Sequence, residues 1–118
     1  MYGLTIRWSL HAATTDLAQR LRDYAAEEGA GRLAGRPGLV QVIWTLREGG
    51  SFGATTVWSS DSARQAFLAE FRSAGSPVTR LLGHRPDAVE EFEVIDVASA
   101  EAITLPEARV AEAQRTES

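Results

Sequence analysis

Residues Gly3 to Leu10 alternate in polarity. Leu4, Ile6, Trp8 and Leu10 share one phase, and Thr5, Arg7 and Ser9 share the other. That is the period of a half-buried strand. The period then lengthens. Thr14, Thr15 and Asp16 offer N-cap oxygens, and Leu17, Leu21, Tyr24 and Ala25 recur at helical spacing through LAQRLRDYAAEE. Gly29, Gly31, Gly35 and the pair Pro37-Gly38 punctuate the stretch up to Leu39, so the helix is expected to fray there into a loop.

From Leu39 to about Leu46 a second strand is apolar on both phases, with Leu39 and Ile43 on one and Val40, Val42 and Trp44 on the other. A strand covered on both sides reads this way. Arg47-Glu48-Gly49-Gly50-Ser51 predicts a hairpin connection with glycines supplying positive φ. A third strand is expected from Phe52 to Ser59. Ser60 or Asp61 then caps a second helix, with Ala63, Ala66, Phe67, Phe71 and Ala74 as its apolar stripe. Gly75-Ser76-Pro77 stops it. VTRLLGHRPDA predicts one helical turn and a loop before a fourth strand from Val89 to Val97, with Phe92 and Val94 on one phase and Ile95 and Val97 on the other.

The order β-α-β-β-α-β predicts a ferredoxin-like α+β domain over residues 1–98 with a four-stranded antiparallel sheet. Residues 99–118 read as a polar, alanine-rich tail in which Pro106 starts a short helix. Two helices cannot cover both faces of such a sheet, so both are expected on one face. Because the second strand is apolar on both phases, the other face is expected to be covered by a second copy in a two-fold homodimer.

Composition narrows the chemistry. The 118 residues suit one domain, and the formal net charge of -4 is dispersed, which argues against a nucleic-acid surface. No apolar run approaches the ~20 residues that span a bilayer. No basic n-region precedes an apolar stretch in MYGLTIRWSL, so no signal peptide and a cytoplasmic location are expected. Cysteine, lysine and asparagine are absent, and all twelve basic side chains are arginine. Thiolate and Schiff-base chemistry are thereby excluded. His11 and His84 are far apart, with no HxH or HExxH spacing, so no metal site is expected. No GxGxxG or GxxxxGK[ST] segment points to a bound nucleotide, and no cofactor is expected.

Several single residues carry a functional and a plain reading. Trp8, Trp44 and Trp58 are candidates to line a substrate cavity, or are large aromatics of a core or an interface. Arg7, mid-strand, suits a carboxylate or phenolate, or else pairs with Glu91 or Glu93 on the fourth strand. His11 and His84 have the pKa range of a general base, or are solvated loop histidines. Asp96, within FEVIDV, is a base if buried; otherwise it ends a strand and accepts from a backbone N–H. Thr45, Thr55 and Thr56 suit a polar spot in a pocket, and are also favoured strand residues.

Pro37-Gly38-Leu39, Trp44-Thr45, the strand ending in Trp58-Ser59-Ser60-Asp61, the Ala66-Phe67-Leu68 helix and Val94-Ile95-Asp96-Val97 stand in an order that resembles the dimeric α/β-barrel superfamily. The likeness covers about residues 3–98. It is nearest to the YdhR-type monooxygenases, beside the antibiotic-biosynthesis monooxygenases. It implies a homodimeric α/β barrel with a cavity between helices and sheet. For some members it also implies oxidation of a phenol- or quinol-like molecule by O₂ without metal or flavin. Trp58 matches a tryptophan that lines the pocket in related monooxygenases. Ala54 stands where some relatives carry an asparagine, and the helix DSARQAFLAEF lacks the histidine of the haem-degrading relatives.

The resulting expectation is a cofactor-independent monooxygenase for a small aromatic molecule. Arg7 and His84 are its expected catalytic groups, and Trp8, Trp44, Thr56 and Trp58 its substrate contacts. A non-catalytic binding or structural dimer, and an isomerase or cyclase using Asp96 or His11, are the competing readings.

Overall fold

The structure is a computed structural model and describes residues 1–10 and 15–98. His11, Thr14 and the tail from Ser99 lie outside the described residues. Strand β1 (Tyr2–Ser9) leads to helix α1 (Thr15–Tyr24), a π-helical turn (Ala25–Gly29) and a short helix α2 (Ala30–Leu33). Strands β2 (Leu39–Arg47) and β3 (Ser51–Trp58) come next, then helices α3 (Asp61–Ala74) and α4 (Pro77–Leu82), and strand β4 (Ala88–Glu93). The sheet is antiparallel in the order β2-β3-β1-β4, the ferredoxin-like arrangement.

The alternation of β1 is used as its pattern predicts. Leu4, Ile6, Trp8 and Leu10 are buried with Leu21, Phe52, Leu68 and Val78 in one core between sheet and helices. The opposite phase faces away from the helices, where Thr5 and Thr55 join hydroxyls at 2.8 Å. All three tryptophans lie on the helix side.

Four sequence expectations change. First, the helical segment after Tyr24 does not fray at the glycines. It widens into the π-turn and continues to Leu33, with Gly29 and Leu33 buried. Second, Leu39 and Ile43 do not share a phase of β2, and Ile43, on the outward face, is 47% exposed. A register shift between Leu39 and Gln41 puts Leu39 opposite Trp58, out of phase with Ile43. Third, α3 buries Arg64 and Leu68, while Ala66 and Ala74 are exposed. Fourth, β4 stops at Glu93, short of Val97. Its neighbour is β1 alone, and Glu93 already pairs with Tyr2. One further bond links Val94 N–H to the Met1 carbonyl, and Ile95 is 91% exposed.

Two turns set the geometry of the cavity. The Arg36 carbonyl accepts from Leu39 N–H at 3.1 Å across Pro37-Gly38, with Gly38 at φ +82°. Proline followed by a positive-φ glycine is the signature of a type II turn. The Gly38 carbonyl accepts from Ser59 N–H at 2.8 Å, which ties this turn to the end of β3. At the start of α3, the Ser60 hydroxyl accepts from Ala63 N–H at 3.1 Å as the N-cap.

Candidate functional site

A cavity of about 70 Å³ lies between sheet and helices. Trp8, Trp44 and Thr56 form part of its floor, and Tyr24 and Phe71 part of its helical wall. Its charged lining is Arg32, Arg36 and Glu70. A wider groove of about 400 Å³ opens beside it, lined by Trp58, Ser59 and Ala63 among others. Arg36 and Phe67 line both.

The aromatic residues form a connected set. Trp44 stacks on Phe52 with centroids 5.7 Å apart and meets Tyr24 edge-on at 5.7 Å. Trp8 lies 6.1 Å from Phe71, edge-on. The π-turn brings backbone close to this cluster: a Cβ on Gly29 would stand 2.6 Å from Trp44 Cζ2. Only glycine lets the helix sit that low over the indole.

The polar groups are spent unevenly. Trp8 donates its indole N–H to Thr79 Oγ1 at 3.1 Å, and Trp58 donates to Thr56 Oγ1 at 2.7 Å. Thr56 in turn donates to the Leu4 carbonyl at 3.3 Å. Trp44 Nε1 is buried without a hydrogen-bond partner, and so is Arg36 Nε. The Arg36 guanidinium pairs with Glu70 at 2.7 Å through Nη2 and lies 5.2 Å over the Phe67 ring. That hydrogen bond holds the Glu70 carboxyl below its usual range. Burial pushes the Tyr24 phenol up, with the nearby Arg32 opposing, so Tyr24 is a neutral phenol at neutral pH.

Of the residues expected at a site, Trp8, Trp44 and Thr56 meet at the cavity. Trp58 is buried one wall away, tilted against Phe67 at 5.2 Å, and lines the outer groove. Arg7 and His84 do not line either space. Arg7 is on the strand phase that faces away from the helices, with Glu90 at 3.8 Å. The partner is Glu90 rather than Glu91 or Glu93 because Glu90 shares the phase of Arg7, one pair away at Thr5. Glu91 opposes Leu4 on the helix side. The His84 ring bridges the carbonyls of Arg85 and Ser9, at 2.8 and 3.1 Å, and so clamps its loop to the end of β1. Asp96 is exposed and accepts from Val97 N–H. Thr45 and Thr55 share the outward phase with Arg7.

Arg36, Glu70 and Arg32 were not singled out from the sequence, and Tyr24 was read only as part of the apolar stripe of the first helix. Glu70 stands three residues after Phe67, which places the two side by side on a helix. Nothing local marks Arg36 beyond its place before Pro37-Gly38. Its pairing with Glu70 spans 34 residues and exists only in the folded chain.

No protein-family model matches the chain, and no curated protein matches it. Solved structures do. The monooxygenase from ActVA-Orf6 of Streptomyces coelicolor, in complex with nanaomycin D, superposes with a TM-score of 0.62 at 15% identity over 83% of this chain and 90% of that one. A cofactor-independent oxygenase from Streptomyces nogalater gives 0.56 at 20% identity, covering 81% of this chain and 94% of its own. A dimeric ferredoxin-like protein from an uncultured marine organism gives 0.55 at 11% identity, over 84% and 99%. Among the described residues no helix is long and apolar enough to cross a membrane. The chain carries the ferredoxin-like α+β fold that these solved structures share.

Proposed function

We propose that the protein binds a small phenol- or quinol-like aromatic molecule with one ring in the cavity over β2, β3 and β1 and any further ring toward the neighbouring groove, and oxidises it with O₂, without a cofactor. The single observation that carries this reading is the buried, unpartnered indole N–H of Trp44, on a cavity that Trp8, Tyr24, Phe67 and Phe71 also line. An unpaired buried donor costs about 1–3 kcal/mol, and a ligand oxygen removes that cost. The oxygenases of the same fold support the reaction class, and the sequence resemblance points to the YdhR-type branch.

In this reading the ring packs among Trp44, Trp8 and Phe71, and its oxygen faces the Trp44 N–H. Thr56 contributes shape and holds Trp58, which backs the wall through Phe67. Arg7 and His84 take structural roles. With an anthrone, loss of a methylene proton to solvent leaves an enolate whose oxygen the donors stabilise. The electron-rich ring reduces O₂, a C–O bond forms at the former methylene carbon, and the hydroperoxide loses water. The products are an anthraquinone and one water.

We also infer a homodimer through the outward sheet face, which carries Ile43, Val57 and Phe92 around the Thr5–Thr55 pair. Phe92 lies over Gly3, where a Cβ would come within 2.0 Å of its ring.

The test is oxygen uptake with anthrone and a panel of hydroxylated naphthalenes, under air and under nitrogen. Saturable uptake is expected. Trp44→Phe keeps the fold and lowers kcat/KM by about tenfold, the size of one lost hydrogen bond in a dry site. Binding without uptake overturns the oxidation. The cavity is small beside the ~150 Å³ of an apolar cavity that takes up benzene. That size favours a second reading, a structural dimer, and absence of any binding would count for it.

A further inference from the structure

We propose that the ligand is an aromatic acid whose anionic group binds Arg36 in exchange for Glu70, with its rings reaching from the inner cavity into the outer groove past Phe67. This rests on the cavity being a ligand site, as proposed above, and adds the ligand's charge and the residue that reads it.

Three observations converge on Arg36. The first is charge. The chain is net negative at -4, yet the charged residues lining the cavity are two arginines and one glutamate. The second is the sign of the unmet hydrogen bonds. Among the described residues, the buried side-chain polar atoms without a partner are Arg36 Nε, Trp44 Nε1 and Arg64 Nε, all of them donors. Two of the three are on residues that line this cavity. Donors without acceptors select a ligand with accepting oxygens, and a guanidinium selects an anion.

The third is space. About 70 Å³ is too small for a bicyclic molecule, whereas the neighbouring groove holds about 400 Å³. Arg36 and Phe67, stacked at 5.2 Å, line both spaces. A ligand filling both must therefore meet this pair. Glu70 is the group that gives way. Its side chain is 54% exposed against 27% for Arg36, so the carboxylate returns to water while the guanidinium stays in the wall. An ion pair with one partner this exposed is weak, so exchange for a better-buried anion is favourable.

The experiment is calorimetric titration of the full chain with 2-naphthoate and with 2-naphthamide, which match in shape and differ in charge. Wild type is expected to bind the acid about tenfold tighter, the scale of a charge-assisted bond over a neutral one. Arg36→Gln brings the two affinities together. Glu70→Gln, an exposed change, tightens naphthoate binding more than naphthamide binding. Equal affinities in wild type overturn the proposal, as does an acid preference that survives Arg36→Gln. Naphthamide binding without acid preference overturns this inference alone. Failure of both compounds to bind overturns the ligand-site reading with it. Oxygen uptake does not enter, so loss of the oxidation reading leaves this result standing.

Discussion

Arg64 and Asp61 stand one helical turn apart on α3, and the arginine is buried while the acid is exposed. Arg64 donates to the carbonyls of Gly3 and Phe92, both at 3.1 Å, and to Asp61 at 2.7 Å. It thus pins the helix to β1 and to edge strand β4. The hydrogen bonds from Arg64 and then Gln65 hold the Asp61 carboxyl below its usual range. A carboxyl lowered in the folded state stabilises above its unfolded pKa, and that stability is lost as pH falls through the folded value. Acidification below the ordinary carboxylate range is therefore expected to lower the urea midpoint. Asp61→Asn lowers the midpoint at neutral pH and makes the acid-side fall shallower, as read from urea curves at several pH values. At this scale the sequence was partly legible. Trp44 stood out by its size and strand position. Arg64 carries no local signal, because its partners are carbonyls on strands far along the chain.

The Pro37-Gly38 turn shows how an element boundary builds a site. It reverses the chain after α2, starts β2, and leaves Arg36 at the cavity. Gly38 has φ +82°, and a Cβ there would stand 2.6 Å from the Ala63 Cβ. Gly38→Ala is expected to destabilise by about 2 kcal/mol, from left-handed strain and this close contact. Chemical denaturation measures that, and Gly49→Ala separates the contact from the strain. Gly49 also has positive φ, but a Cβ there meets nothing within 4 Å, so its loss is smaller. Strand and helix order and the turns were legible because each rests on local period or turn chemistry. The π-turn and the early end of β4 were not. The first depends on what packs under Gly29, and the second on how long β1 remains beside it.

Across the whole molecule the sheet separates two environments. One face holds the core and the cavity. The other carries Thr5, Thr55, the Arg7–Glu90 pair and exposed Ile43 and Phe92. Sedimentation of the wild-type chain is expected to give a dimer. Ile43→Glu, which places a charge on the outward face away from the cavity, is expected to shift it toward monomer while the circular dichroism stays unchanged. A monomeric wild type would remove the proposed interface.

The sequence by itself determined the βαββαβ order and the single sheet with helices on one side, and it singled out the tryptophans as candidates for a site. Those rest on period, capping and size, which are properties of neighbouring residues. Only the tertiary structure decided which polar groups face that material. Arg7 and His84 went to the outward face and to a loop clamp, while Arg36, Glu70 and Tyr24 came to the cavity. The physical reason is that strand pairing and helix packing set which faces meet, and a side chain's hydrogen bonds to distant partners leave no trace in local spacing.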